Sequence, residues 1–406
     1  MFKSYLTDIF PLNATTRPAH ILPVIIFSQF TGTSLWFAGN AIILDLQKDW
    51  GLAQQSLGHV TSAVQLGFIC GTLLFALLMI ADRFSPRLVF FYCSLAGALA
   101  NIALLFVPQQ LTWLLMLRFA TGFFLAGIYP VGMKIAAGWY AQGLGRALGY
   151  LVGALVLGTA FPHLVRSSGS DLPWEQVMLV VSTLAILGGF VMLMLVADGP
   201  HLPKGSVFHL DALKVIFRSR RFRASAFGYF GHMWELYTLW AFIPLLLLTY
   251  SSNNAITLNV PLWSFLVIAS GFIGSAVGGI ASTKLGSARV AAVQLAISGA
   301  CCLLSPVLFN SSPAVFLAFL LLWGITVVGD SPQFSALNAE YAPREFVGSA
   351  LTIVNSIGFL ITIFSIQLAG WLLTLISPQY IFLLLVPGPI IGLWMLRPLF
   401  AGKQAG

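Results

Sequence analysis

The chain has 406 residues, 58% of them hydrophobic and only 8% charged, with a mean hydropathy of +0.92 and a formal net charge of +8. Soluble domains carry about 25% charged residues, and a soluble core of this size could not absorb so much apolar surface, so the class is polytopic membrane protein. The basic excess is scattered between apolar runs rather than gathered into one patch, which excludes a nucleic-acid surface.

The segment 1–18 is polar and mixed and carries no leader-cleavage pattern, so the first apolar run is expected to be retained. A helical span needs about 20 apolar residues. Twelve runs qualify, near 22–44, 57–80, 89–107, 112–136, 143–165, 176–197, 223–250, 261–282, 289–308, 313–334, 346–372 and 379–399. They are numbered spans 1 to 12. Barrel strands of about 10 alternating residues do not fit runs of this length. The fold class predicted is all-α, with twelve transmembrane helices in two related six-helix halves.

Span 1 carries the polar and aromatic residues Gln29, Trp36 and Asn40, and the connection after span 2 carries Asp82, Arg83 and Arg87. Arg118 lies several residues inside span 4, where a charge is expensive and rarely faces lipid. Two readings of it stand: an inward-facing cation that pairs with a substrate anion or a protonatable acid, or a structural arginine bonded to backbone carbonyls. Lys134, near the other end of that span, can snorkel to the interface.

Span 4 also contains Gly122, Gly127 and Pro130, and the same G-x4-G-x2-P pattern returns 202 residues later in span 10 as Gly324, Gly329 and Pro332. A polar loop with an arginine follows each copy, Arg146 in the first and Arg344 in the second. Membrane helices tolerate this density of glycine and proline where soluble helices do not. The repeat makes the chain two copies of one membrane unit: residues 1–197, a linker at 198–222, and residues 223–406. The linker contains Pro200, Pro203, Gly205 and a basic run ending at Arg223, which reads as a headgroup anchor or a lipid-binding patch. His163 ends span 5 as an interface histidine.

Span 7 is the richest stretch in chemistry. His232 and Glu235 are three residues apart and share a helical face, with Tyr229 one turn earlier. Counted from Arg223, Glu235 is about 18 Å along the helix, near the bilayer centre. An ionised, unpaired acid there costs on the order of 3 kcal/mol, so Glu235 suits a proton carrier, with Arg118 or His232 as candidate partners. A buried structural cluster is the alternative. Asp330, next to the second glycine of the span 10 motif, is a second candidate proton or cation site, or a capping or gating residue near the cytoplasmic end.

Even-numbered connections and the termini hold most of the lysines and arginines, and the odd-numbered connections hold only Lys48 and Arg166, so both termini are expected in the cytoplasm. Cys70, Cys93, Cys301 and Cys302 all fall in apolar runs and read as packing residues. The chain has no phosphate-binding loop, no His/Cys metal cluster and no serine nucleophile elbow, so neither an enzyme nor a cofactor is expected.

Six plus six spans, a central linker and related halves resemble the major facilitator superfamily of secondary transporters. In that family the connection after span 2 carries Gly-x-Leu-x-Asp-Arg-x-Gly-Arg-Lys/Arg. Here Asp82, Arg83 and Arg87 match, and both glycines and one arginine are lost. The connection after span 8 keeps Gly279, Lys284 and Gly286 but has Thr283 at the acidic place. The resemblance implies that Asp82, Arg83, Arg87, Arg146 and Arg344 take part in gating, with Asp82 docking on the start of span 11 to latch the outward-open state. It also implies that spans 1, 4, 7 and 10 line the cavity. That gives Arg118, Gln29, Trp36, Asn40, Tyr129, Tyr229, Tyr237 and Gln333 as substrate-binding candidates, and Glu235, His232 and Asp330 as proton-coupling ones.

Span 5 lacks the Gly-Pro pair of drug antiporters, and span 11 lacks the dense glycines of nitrate porters, leaving only a loose likeness to bacterial anion porters. The function expected is proton-coupled movement of a small polar or anionic solute by a monomer in the bacterial cytoplasmic (inner) membrane, with uptake favoured. A drug or metabolite exporter and a transporter-like membrane sensor are the alternatives.

Overall fold

The computed structural model describes residues 18–140, 144–169, 172–202 and 212–400. Lys3, Arg17, Lys204, Lys403, the Arg146 side chain and the middle of the predicted linker lie outside the described residues.

Twelve helices are long and apolar enough to cross a membrane: Ile21–Asp49, Ser56–Leu77, Pro86–Phe106, Leu111–Trp139, Ala147–Ser167, Trp174–Leu195, Arg220–Asn253, Val260–Leu285, Ser287–Leu308, Pro313–Tyr341, Arg344–Leu372 and Pro378–Leu399. They follow the predicted spans one for one and keep the numbers 1 to 12. No strand occurs among the described residues. Proline opens several of these helices, as at Pro86, Pro313 and Pro378, where its missing N–H would be unpaired in any case. Side chains cap two others: Ser219 accepts from Phe222 N–H at 3.2 Å before span 7, and Asn259 accepts from Leu262 N–H at 3.1 Å before span 8.

The repeated motif has a structural counterpart in each half. Span 4 runs as Leu111–Leu125 and Tyr129–Trp139, and span 10 as Pro313–Gly329 and Ser331–Tyr341. Pro130 and Pro332 sit in the first turn after each break, because proline lacks the N–H and its ring opposes the carbonyl four residues back. The motif glycines are required by close approach. A Cβ on Gly122 would stand 2.1 Å from the Val64 carbonyl oxygen of span 2, and one on Gly324 would stand 2.0 Å from the Val267 carbonyl oxygen of span 8. The second glycines repeat the relation one helix over, Gly127 against Cys93 of span 3 and Gly329 against Gln294 of span 9. Spans 2, 3 and 4 thus pack as spans 8, 9 and 10 do.

Span 1 is also broken, into Ile21–Thr33 and Ala38–Asp49, with Phe37 at φ −103°. Among the described residues the halves meet along several seams. Between spans 2 and 11, the Gln367 amide donates to Ser62 Oγ at 2.8 Å and to the Gly58 carbonyl at 3.3 Å. Between spans 5 and 8, Gly153 lies under the Phe272 ring. Between spans 1 and 7, Trp36 stacks on Tyr237 with ring centroids 5.9 Å apart. The Gln367 contact lies toward the face that carries the odd-numbered connections and closes it there.

Candidate functional site

Two buried ionisable clusters flank the centre of the molecule, one in each half. In the first, Arg118 is 1% exposed. Its Nη1 donates to Asn101 Oδ1 of span 3 at 2.8 Å, and its Nη2 donates to the carbonyls of Leu35 at 2.9 Å and Trp36 at 2.6 Å. Those carbonyls belong to the break in span 1, where the chain turns away from its own ladder and leaves acceptors without helical donors. Of the two sequence readings, the carbonyl-bonded arginine is the one the structure displays. Among the described residues Arg118 has no acidic partner. Asn101 extends the network by donating to Ser182 of span 6 at 2.9 Å.

The second cluster is built on span 7. His232, Glu235 and Asp330 are each 1% exposed. One oxygen of Glu235, Oε1, accepts from three donors: Ser298 Oγ, Cys302 Sγ at 3.3 Å and Trp323 Nε1 at 2.9 Å. Ser298 and Cys302 are four apart on one face of span 9, and Trp323 precedes the span 10 motif. These donors offset the cost of taking a carboxyl out of water. Glu235 has no ion-pair partner among the described residues, so neither Arg118 nor His232 neutralises it. Cys302, expected as mere packing, instead donates to Glu235; the reason is that burial leaves a weak thiol donor no better acceptor.

His232 points to the span 10 break, where its Nδ1 stands 2.8 Å from Asp330 Oδ1. That is ion-pair distance, and His232 Nε2 and Asp330 Oδ2 are buried without a hydrogen-bond partner. Asp330 precedes the helix Ser331–Tyr341, whose N-terminus favours negative charge. Span 7 therefore carries two separate sets one turn apart, Glu235 with spans 9 and 10, and His232 with Asp330.

An aromatic group is drawn from both halves. Trp36 packs against Phe68 of span 2 at 4.7 Å and stacks on Phe359 of span 11 at 5.6 Å, and Tyr237 meets Phe359 at 5.3 Å. Tyr129 opens the second segment of span 4. The indole N–H groups of Trp36 and Trp240 and the whole Gln65 amide are buried without hydrogen-bond partners.

The other predicted residues are dispersed. Asn40 donates to Thr61 Oγ1 at 2.7 Å. Gln29 is buried against Gly132, away from Trp36, and Gln333 is buried just past the span 10 break. Tyr229 packs beneath Gly358. Asp82 pairs with Lys134 of span 4, not with the start of span 11. Arg87 donates to the Leu193 carbonyl at 3.4 Å, while Arg83 and Arg344 are exposed.

Sequence reasoning missed Asn101, Ser298, Trp323, Gln65, Phe68 and Phe359. A signal existed for some of them. Asn101 and Gln65 are amides inside apolar runs, and a polar residue in a span needs a partner. The aromatic residues carried none, since phenylalanine is equally at home facing lipid.

The sequence profile of the Major Facilitator Superfamily matches residues 24–269 and 225–404. The chain is 33% identical over 158 residues to the niacin transporter NiaP of Acinetobacter baylyi, a match covering 33% of this chain and 35% of that protein, so it spans about a third of the relative's length. A crystal structure of the nucleoside transporter NupG superposes with a TM-score of 0.71, covering 94% of this chain and all of the other at 14% identity, which is a likeness of fold.

Proposed function

From the premise that the chain belongs to the Major Facilitator Superfamily, we propose that it is a secondary transporter that moves a small, flat, polar or anionic organic solute, coupled to protons, by alternating access. The observation that carries this reading is the carboxyl of Glu235, buried in the membrane with hydrogen-bond donors from spans 9 and 10 but no ion-pair partner among the described residues. A buried acid with hydrogen-bond donors but no cation can take up and release a proton as its surroundings change. Aromatic faces with partnerless indole N–H groups beside them suit a planar, hydrogen-bond-accepting solute. Niacin and nucleosides, the solutes named for the relative and the fold neighbour, both contain such a ring.

In this reading Arg118 is a support: it holds the span 1 break and so sets where Trp36 stands. His232 and Asp330 form a second proton-bearing pair, and Asp82 exchanges Lys134 for the start of span 11 when the halves rock. Both termini face the cytoplasm of a bacterium, the direction is uptake, and the working unit is a monomer. Purified protein in liposomes tests the reading. Radiolabelled nicotinate or a nucleoside should accumulate when the lumen is made alkaline relative to the bath. Net movement outward only would make the protein an exporter, and tight binding without movement would make it a sensor.

A further inference from the structure

Outside the clusters above, the described surface has a crevice of about 560 Å³ between spans 2, 4 and 11. Its walls are one face of each helix. His59, Ser62, Ala63 and Leu66 recur at three- and four-residue intervals on span 2, opposite Met116 and Phe119 of span 4. Leu360, Ile363 and Gln367 close it from span 11. The crevice opens sideways, with Leu66, Met116 and Leu360 between 45% and 57% exposed, so it faces the hydrocarbon of the bilayer.

The lining is graded. His59 lies within the first turn of span 2, and Ser62 and Gln367 are hydrogen-bonded to each other beside it, all toward the odd-connection face. Leu66, Phe119 and Leu360 lie deeper, toward the middle of the membrane. A void here would forfeit the contacts of its lining atoms, and water is excluded by the apolar walls. What remains available in a bilayer is an amphiphile with its head at the interface and its tail pointing inward.

We infer that this crevice is a binding site for one phospholipid of the leaflet on the odd-connection side, with an acyl chain lodged between spans 2 and 11 and the headgroup beside His59. The site straddles a seam between the halves: its floor is the Gln367–Ser62 contact that must part when that face opens. A chain resting on both helices therefore favours the closed face. The inference does not depend on what the protein transports.

Photocrosslinking in nanodiscs of phosphatidylethanolamine and phosphatidylglycerol tests it, using phosphatidylethanolamine with a diazirine midway along one acyl chain. Adducts on peptides of spans 2 and 11 should exceed those on spans 3 and 6, which also face lipid, by at least about fivefold. Ala63→Trp fills the crevice and should bring the adducts down to the level of spans 3 and 6 with the melting temperature unchanged. If Ala63→Trp fails to fold, Met116→Trp fills the same space from the opposite wall and should give the same loss. Adducts spread evenly over all lipid-facing spans, insensitivity to the tryptophan that folds, or displacement by excess nicotinate would each overturn the site.

Discussion

The Arg118 guanidinium donates to the Trp36 carbonyl at 2.6 Å, and the Trp36 ring stacks on Tyr237 of the other half at 5.9 Å. A buried charge in one half thus sets the position of an aromatic contact with the other. Arg118→Leu leaves the Leu35 and Trp36 carbonyls and the Asn101 oxygen without their donor, at an expected cost of about 3 kcal/mol. Lysine cannot reproduce the fork that spans both elements, so Arg118→Lys should recover only part of the loss. Thermal melting measures both. If Arg118 were instead a direct substrate counter-ion, Arg118→Lys would melt like the parent and lose only solute affinity.

Gly122 and Gly324 should respond alike because they make the same contact in the two halves. Gly122→Val and Gly324→Val each drive a side chain into a backbone carbonyl of the neighbouring span, at about 1–3 kcal/mol or more. Gly370→Ala, where an added Cβ meets nothing within 4 Å, is the control and should be neutral. Melting temperatures of the three variants check the correspondence between halves.

Asp82 and Lys134 give a pair of opposite predictions. If Asp82 alternates between Lys134 and a helix N-terminus at the start of span 11, Asp82→Asn weakens the latch by up to about 2 kcal/mol and raises the inward-open population by up to about thirtyfold. Lys134→Met removes the competing partner and should shift the population the other way. Labelling of single cysteines placed at the even-connection end of the cavity reports both. Equal labelling in the two variants would reject the exchange.

His232 and Asp330 should behave as one unit, since they stand at ion-pair distance, 2.8 Å apart. Asp330→Asn and His232→Gln are expected to impair gradient-driven uptake to the same degree, and the double variant should be no worse than either. Additive losses in uptake assays would show that the two act separately.

Much of this architecture was legible in the sequence. The span limits follow from apolar run length, and the G-x4-G-x2-P repeat, which the sequence showed only as the sign of two related halves, coincides with a helix break and a close approach in each half. Glu235, His232 and Asp330 also stood out, because charge inside a span is rare. Their partners did not. Periodicity gives the rotation of a soluble helix from its polar face, but the residues around Ser298 and Cys302 in span 9, and the first segment of span 10, Pro313–Gly329, are apolar toward lipid and neighbours alike. Nothing in the sequence therefore turned Ser298 and Cys302 toward Glu235, or Arg118 toward the span 1 break rather than an acid. Asp82 was placed in its loop by the family pattern, but the pattern has no term for competition from Lys134.

Glu235→Gln in liposomes tests whether Glu235 carries the coupled proton. Glutamine keeps the size and the carbonyl acceptor for Ser298 and Trp323 but never changes charge. Solute exchange between equal pools should survive, accumulation driven by a proton gradient should disappear, and the melting temperature should hold. Gradient-driven accumulation at the parent level, with the variant folded, would contradict that role for Glu235.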